Sequence, residues 1–304
     1  MIVVCGEALI DITRLADGSE RKTPGGGPFN TARALARLGV PTSFLGRLST
    51  DQDGRQLADL LSLDGVGLSL VSVGPEPTTV AHAIIDDHGS AAYRFVTDGT
   101  SAPNLTPAML PAALGPDVAA VYVGTLGLVL EPISSTIVEL LQREGGRRLV
   151  MVDPNIRQDA IRDPDAAHAR LNSAMARSTI VKASEDDVAW LYRDVDLETA
   201  AGRMLAAGAR LVVITLGRRG ALGITAGARV QVRAPAVEVV DTIGAGDTFG
   251  AALLAWLTEH DALQPDLDIG ARDLESALSF ACQAASVTCT RAGADPPPRA
   301  EVAK

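Results

Sequence analysis

The chain has 304 residues, 47% hydrophobic and 21% charged, which supplies a large core and fills one large α/β domain or two small ones. Its 37 acidic and 27 basic residues leave a formal charge of −10, which argues against general binding to nucleic acid or anionic membranes. Cys5, Cys282 and Cys289 are odd in number and lack metal-ligand spacing, no apolar run reaches membrane-spanning length, and no basic leader opens the chain, so the expected setting is a reducing cytoplasm.

In chain order, residues 2–12 read as one mostly apolar, central strand, with Glu7 and Asp11 interrupting it near its end. Carboxylates there are costly unless they meet solvent, loop amides or a ligand. Pro24-Gly25-Gly26-Gly27 forms a turn that opens a helix over residues 30–38. Its glycines let the backbone approach a small ligand, and Asn30 offers a hydroxyl pair both a donor and an acceptor. A plain helix cap would explain Asn30 equally well. A strand over 42–48 and a helix over 51–63 follow.

Residues 78–96 change character. Two extended runs, 79–85 and 91–96, flank Asp86-Asp87-His88-Gly89-Ser90 and read as a hairpin. Residues 12–23 and 75–99 would form a small β lid over an α/β core of 1–11, 24–74 and 100–304. Val80, His82 and Ile84 fall on one face of the hairpin and Ala81, Ala83 and Ile85 on the other, so both faces carry apolar groups. His82 and His88 lie far in sequence from any acidic or cysteine cluster and read as strand and turn residues, not metal ligands.

From residue 119 strands and helices alternate, with strands at 119–123, 148–152, 180–182 and 210–215. Helices fall at 132–144, 163–177, 185–191 and 197–207. That alternation predicts an α/β fold with a doubly wound, mainly parallel sheet. Ligands in such sheets bind beyond the carboxyl ends of the strands. The polar clusters 153–157, 182–187 and 215–220 all fall at those ends. Residues 222–232 suggest paired strands, 272–288 a small-residue helix able to wall a purine pocket, and Pro296-Pro297-Pro298 the end of the ordered fold.

Residues 228–240 read as an extended segment that feeds the turn Asp241-Thr242-Ile243-Gly244-Ala245-Gly246-Asp247, and the turn opens a buried helix over 248–257. Amides at a helix start lack partners, and the helix dipole adds positive charge there. Gly244 and Gly246 leave room for a phosphoryl group to approach those amides. A carboxylate beside an anion site makes sense if Asp247 takes a proton from a hydroxyl attacking the bound phosphoryl group. The plain alternative is an acidic first turn that stabilises the helix. No Gly-Lys pair occurs, which excludes a Walker phosphate loop, and neither Cys5-Gly6-Glu7 nor Gly244-Ala245-Gly246 carries the glycines of a dinucleotide fingerprint.

The run 241–250 resembles the C-terminal signature of the ribokinase/fructokinase family of sugar kinases, and 24–32 resembles its N-terminal signature. The resemblance covers essentially the whole chain and implies a ribokinase-like fold. It implies that Asp247 is the general base and that the amides of Gly244, Ala245 and Gly246 stabilise charge on the transferring group. Asp11, Gly25, Gly26, Asn30, Phe95 and Arg157 are then the sugar-side residues, with Tyr93 an alternative to Phe95. Lys182, Ser184, Thr215, Gly217 and Gly220 fall on the nucleotide side. Ser184-Glu185-Asp186-Asp187 stands where the family has Asn-x-x-Glu near Mg²⁺, so Asp187 would hold the metal through water. Asp241 would support the glycine loop, with a monovalent cation such as K⁺ beside it.

ATP is the implied co-substrate. Gly25-Gly26-Gly27-Pro28 lacks the lysine usual in ribokinases and in kinases of phosphorylated hexoses, which favours a neutral sugar, fructose first. 2-Keto-3-deoxygluconate, ribose and a nucleoside are the alternatives. A catalytically silent sugar- or nucleotide-binding protein and a nicotinamide oxidoreductase are the competing classes. Family analogy also suggests a homodimer joined through the two-faced lid.

Overall fold

A computed structural model describes residues 1–14, 19–85 and 91–302, without the side chains of 83–85 and 91–93. The turn expected at Asp86–Ser90, and the side chains of Ala83, Ile84, Ile85 and Tyr93 that enter the expected lid dimer, lie outside the described residues. The first part of the chain holds β1 (Ile2–Cys5), β2 (Leu9–Arg14), β3 (Glu20–Gly25), α1 (Gly27–Arg37), β4 (Thr42–Leu45), β5 (Arg47–Ser49), α2 (Gln52–Leu63), β6 (Ser72–Gly74), β7 (Val80–Ile85) and β8 (Ala91–Val96). Then come β9 (Ala120–Gly124), α3 (Ile133–Glu144), β10 (Leu149–Asp153), α4 (Pro164–Met175), β11 (Ile180–Ser184), α5 (Glu185–Leu191), α6 (Leu197–Ala206) and β12 (Leu211–Thr215). The last part holds β13 (Ala221–Thr225), β14 (Arg229–Val232), α7 (Ala245–Glu259), α8 (Ala271–Cys289) and α9 (Arg299–Val302).

Eight strands form the main sheet in the order β14-β13-β12-β11-β10-β9-β1-β4. Neighbouring strands pair parallel except β12–β13 and β13–β14, which pair antiparallel, so β13 runs against the others near one edge. The central strands read as unbroken apolar runs because both faces are covered. Alternate side chains go to opposite sides: Ile2, Val4, Tyr122 and Met151 pack with α1, α7 and α8, whereas Val3, Cys5, Val121 and Val152 pack with α3, α4 and α6. Helix α7 is apolar all round and almost wholly buried, so its first turn is held rigidly against the sheet.

Two glycines redirect the chain. The expected strand 2–12 is instead two strands, β1 in the main sheet and β2 in a second sheet ordered β3-β2-β7-β8. A side chain at Gly6 would overlap Pro28, and one at Gly46 would put Cβ 2.7 Å from the Gly6 carbonyl oxygen. Here the chain leaves the main sheet after β1 and again after β4, so the expected strand 42–48 splits into β4 and β5. Continuous hydrophobicity cannot mark such a crossing. The second sheet therefore begins at Leu9, three residues before the expected lid segment 12–23. Residues 228–240 are strand only in β14. The proline run does not end the fold: Pro296 and Pro297 are buried, α9 follows, and Val302 joins the core at 1% exposure.

Candidate active site

Strands β1, β9, β10 and β11 end on the same side of the sheet, facing the loop that precedes α7. Gly244 caps α7 at φ 76° with no side-chain cap, and a Cβ there would lie 2.6 Å from that of Ala294. This is a position only glycine fills without strain. Asp241 fixes the loop from below: its Oδ1 accepts the Ile243 amide at 3.0 Å and its Oδ2 the Gly293 amide at 2.8 Å. The helix start thus presents amides and dipole to an open space, and Asp247 follows in its first turn.

That space is a pocket of about 300 Å³. Of the expected residues, Asp11, Gly26, Asn30, Phe95, Arg157, Gly244, Gly246 and Asp247 line it. Asn30, on α1, donates from Nδ2 to Asp247 Oδ2 at 2.9 Å, which fixes the carboxylate and leaves Asn30 Oδ1 buried without a partner among the described residues. Gly25 sits just outside, where any side chain would overlap the Asp11 carboxylate.

The electrostatics are unusual. Burial pushes the Asp247 pKa from 3.8 up to about 6, against the pull of the Asn30 amide and the charges of Lys182 and Arg157. Burial likewise lifts Asp11 to about 6, with Arg157 opposing and Asp247 adding. Glu7, 1% exposed, is lifted by burial to about 7 although its oxygens accept the Gly27 amide at 3.2 Å and the Gly127 amide at 3.0 Å. A pocket that presses three carboxylates toward neutrality around one guanidinium is suited to accepting a proton from a bound hydroxyl.

The nucleotide-side residues do not line this pocket. Lys182 is 3% exposed and donates to Asp153 Oδ2 at 2.7 Å, an oxygen that also accepts the Tyr122 hydroxyl at 3.1 Å. Burial works against the Lys182 charge, but Asp153, with Asp247 and Asp187 behind it, outweighs that and raises its pKa. A Cβ on Gly246 would lie 3.2 Å from the Lys182 ammonium, so this lysine lies directly under the glycine loop. Thr215 ends β12 and bonds back to the Ala183 carbonyl at 3.4 Å. Gly217 and Gly220 take φ 57° and 96° in the turn between β12 and β13. Ala245 is the first residue of α7, its amide bonded to the Thr242 carbonyl at 3.3 Å.

Ser184 and Asp187 form a reciprocal cap at the start of α5. The Ser184 hydroxyl accepts the Asp187 amide at 3.1 Å, while Asp187 Oδ2 accepts the Ser184 amide at 2.7 Å and hydroxyl at 2.8 Å. Asp187 Oδ1 accepts the Ile156 amide at 2.7 Å. Both oxygens already accept hydrogen bonds from the chain, so a magnesium-bound water would have to share this carboxylate with the Ile156 amide and the Ser184 cap. No group of three His, Cys, Asp or Glu among the described residues could hold a metal.

Several lining residues were given no role of their own: Glu7, Thr125 and Asn155, with Thr242 and Ile243 inside the signature run. Glu7 had a signal, a carboxylate in an apolar strand, and Asn155 lies in a strand-end polar cluster. Thr125 had none, because a threonine after a strand is unremarkable in sequence.

Residues 1–300 match the family model of pfkB family carbohydrate kinases. A fructokinase of Rhizobium leguminosarum bv. trifolii is 41% identical over 267 residues, covering 86% of this chain and 81% of that protein. One from Klebsiella pneumoniae is 32% identical over 278 residues, covering 88% and 89%. The Vibrio cholerae O395 fructokinase, solved with fructose, ADP and calcium ion bound, is 26% identical with a TM-score of 0.84, covering 96% of this chain and 94% of that one. The Xylella fastidiosa fructokinase with bound ATP shares the fold at a TM-score of 0.92 and 23% identity, covering 99% and 96%. No helix among the described residues is long and apolar enough to cross a membrane. The chain belongs to the pfkB family of carbohydrate kinases and is an ATP-dependent sugar kinase.

Proposed function

We propose that the protein transfers the γ-phosphoryl group of ATP to the hydroxymethyl oxygen of D-fructose, giving fructose 6-phosphate, ADP and a proton. The observation that carries this reading is the placement of Asp247: a buried carboxylate of raised pKa, oriented by Asn30, in the first turn of an uncapped helix and on the wall of a small polar pocket. In this reading Asp247 takes the hydroxyl proton as the oxygen attacks phosphorus. The amides of the glycine loop stabilise the equatorial oxygens while the β–γ bridging bond breaks.

Asp11 and Asn30 Oδ1 supply acceptors to sugar hydroxyls, with Phe95 covering the ring. Arg157 balances the phosphoryl charge. One guanidinium among the pocket's described lining residues, with three carboxylates, suits a neutral sugar better than a sugar phosphate. Asp11 on β2 and Phe95 on β8 bring the second sheet to the sugar, which fits a lid that excludes water. The nucleotide lies along the β12–β13 turn and the start of α7. Magnesium enters as the complex with ATP, since the described residues build no carboxylate cage for it. A monovalent cation beside Asp241 would add positive charge under the same loop.

The test is ADP release with a panel of fructose, ribose, 2-keto-3-deoxygluconate and nucleosides, each with and without K⁺, followed by NMR assignment of the phosphorylated carbon. Fructose should give the highest kcat/KM and a 6-phosphate. A better rate with another sugar would replace fructose as the substrate. Sugar binding without ADP release would leave a silent binding protein.

A further inference from the structure

Two non-glycine residues on the wall of the sugar pocket have left-handed backbones. Thr125, the residue after β9, has φ 54°, and Asn155, two residues after β10, has φ 38°. The strands are neighbours, with Gly124 paired to Asp153, so both departures occur at one place. Asparagine tolerates this conformation, but a β-branched residue in it is an outlier. Strain of this kind persists where the surroundings fix it, and it gathers at functional sites.

The surroundings define where the hydroxyl sits. Asn155 donates from Nδ2 to Thr125 Oγ1 at 3.3 Å, and a side chain on Gly27 would overlap that same oxygen. Gly27 is the first residue of α1, one residue past the lining Gly26 and held by Glu7 through its amide. The hydroxyl is therefore wedged between a strand end and a helix start, at 6% residue exposure, on the pocket wall. Having accepted from Asn155, it retains its own proton, for which the described residues provide no acceptor. The 3.3 Å bond is too long to account for holding a threonine in this conformation, where glycine would sit without strain.

We propose that Thr125 is a specificity-determining residue, its hydroxyl turned by the left-handed backbone to donate to a hydroxyl of the bound sugar. The inference rests on the reading of this pocket as the sugar site, but not on the sugar being fructose. Two neighbouring groups share the role. Asn155 orients the Thr125 oxygen, and Gly27 makes the room for it.

Thr125→Ser, Thr125→Ala and Thr125→Gly separate this from a structural role, assayed with whichever sugar the wild type turns over best. Loss of a buried hydrogen bond to substrate should raise the sugar KM about tenfold in the Ala and Gly variants, with the ATP KM unchanged and Ser close to wild type. The unliganded Gly variant should melt no lower than wild type, because the strain is gone. Among mono-deoxy analogues of the sugar, one should erase the difference between Ser and Ala, and it identifies the hydroxyl that is read. Equal sugar KM in Ser and Ala would overturn the inference, as would a parallel rise in both KM values. A lower melting temperature in Ala at unchanged KM would make Thr125 a packing residue. If the Gly variant fails to fold, the Ser and Ala pair decides. A fructose failure would show as preference for another sugar in the wild type, independent of these comparisons.

Discussion

Helices α5 and α7 begin alike and end up with different chemistry. Each carries an aspartate as its third residue, Asp187 and Asp247, each buried and close to the ends of the parallel strands. The residue before the helix makes the difference. Ser184 gives α5 a hydroxyl, and Asp187 closes a reciprocal cap with it, accepting from two backbone amides and that hydroxyl. Gly244 gives α7 no side chain, so the helix start stays uncapped and, among the described residues, Asp247 is held by one side-chain amide. One carboxylate is satisfied and the other is kept in readiness. An acid in the first turn of a helix is therefore ambiguous until its hydrogen bonds are counted.

The largest effect should come from removing the carboxylate held in readiness. Asp247→Asn preserves shape and the capacity to accept from Asn30 but cannot take a proton, so turnover should fall about 10²–10⁴-fold with ATP binding intact. The same change should not destabilise the protein at pH 8. Burial raises the folded-state pKa of Asp247 from 3.8 to about 6, so the folded chain binds this proton more tightly than the unfolded one. Its contribution to stability is full below about pH 4 and lost as pH rises through about 6. A neutral amide removes that loss. Thermal melts and ADP release on one preparation check both, and a variant that keeps its turnover would take Asp247 out of the reaction.

Gly246→Ala comes next. The added methyl would sit 3.2 Å from the Lys182 ammonium, which is paired to Asp153 and has little freedom to retreat. The helix start should tilt instead, and a misplaced donor to the phosphoryl oxygens costs roughly 10²–10³-fold in kcat. Steady-state kinetics beside a melting curve distinguish this from collapse. A large drop in melting temperature would mean that the glycine serves packing over Lys182 more than catalysis.

Titration should give about tenfold per pH unit at most. With the Asp247 pKa at about 6, kcat/KM should be flat above neutrality and fall on the acid side of about pH 6 as the base is protonated. Asp11 and Glu7, lifted to about 6 and about 7, titrate in the same window and shape the limb, with Asp247 its main contributor. In Asp247→Asn the residual activity should lose most of this limb. An unchanged limb in the variant would assign it to Asp11 or Glu7.

Much of this was legible in the sequence for identifiable reasons. Parallel strands buried on both faces must be apolar runs and helices must start near caps, so the alternation from residue 119 onward located β9 to β12 and α3 to α6 within a residue or two. Glycines where a backbone must turn left-handed or admit a neighbour marked Gly26 and Gly244. What escaped has physical causes too. An apolar run does not reveal a change of sheet, so the split of residues 2–12 around Gly6 was hidden. The Asp187 carboxylate was read for its charge, and only the fold shows that Ile156, from another strand end, occupies it. Thr125 escaped because a backbone dihedral leaves no trace in residue type unless the residue is glycine or asparagine.

The smallest effect, and the one that closes the comparison, belongs to Asp187→Asn. The amide can accept through one atom only, while its NH₂ would face an amide or hydroxyl that now donates to the carboxylate. Losing the cap and a charge-assisted bond should cost about 1–3 kcal/mol and lower the melting temperature by a few degrees. Turnover should move far less than in Asp247→Asn. A modest rise in sugar KM is expected, because the Ile156 amide held by Asp187 precedes Arg157 and follows Asn155 on the pocket wall. The magnesium dependence of turnover should match that of wild type. If instead the protein melts normally while kcat drops a hundredfold and more magnesium is needed to restore it, Asp187 acts at the metal, and the two helix starts are chemically alike after all.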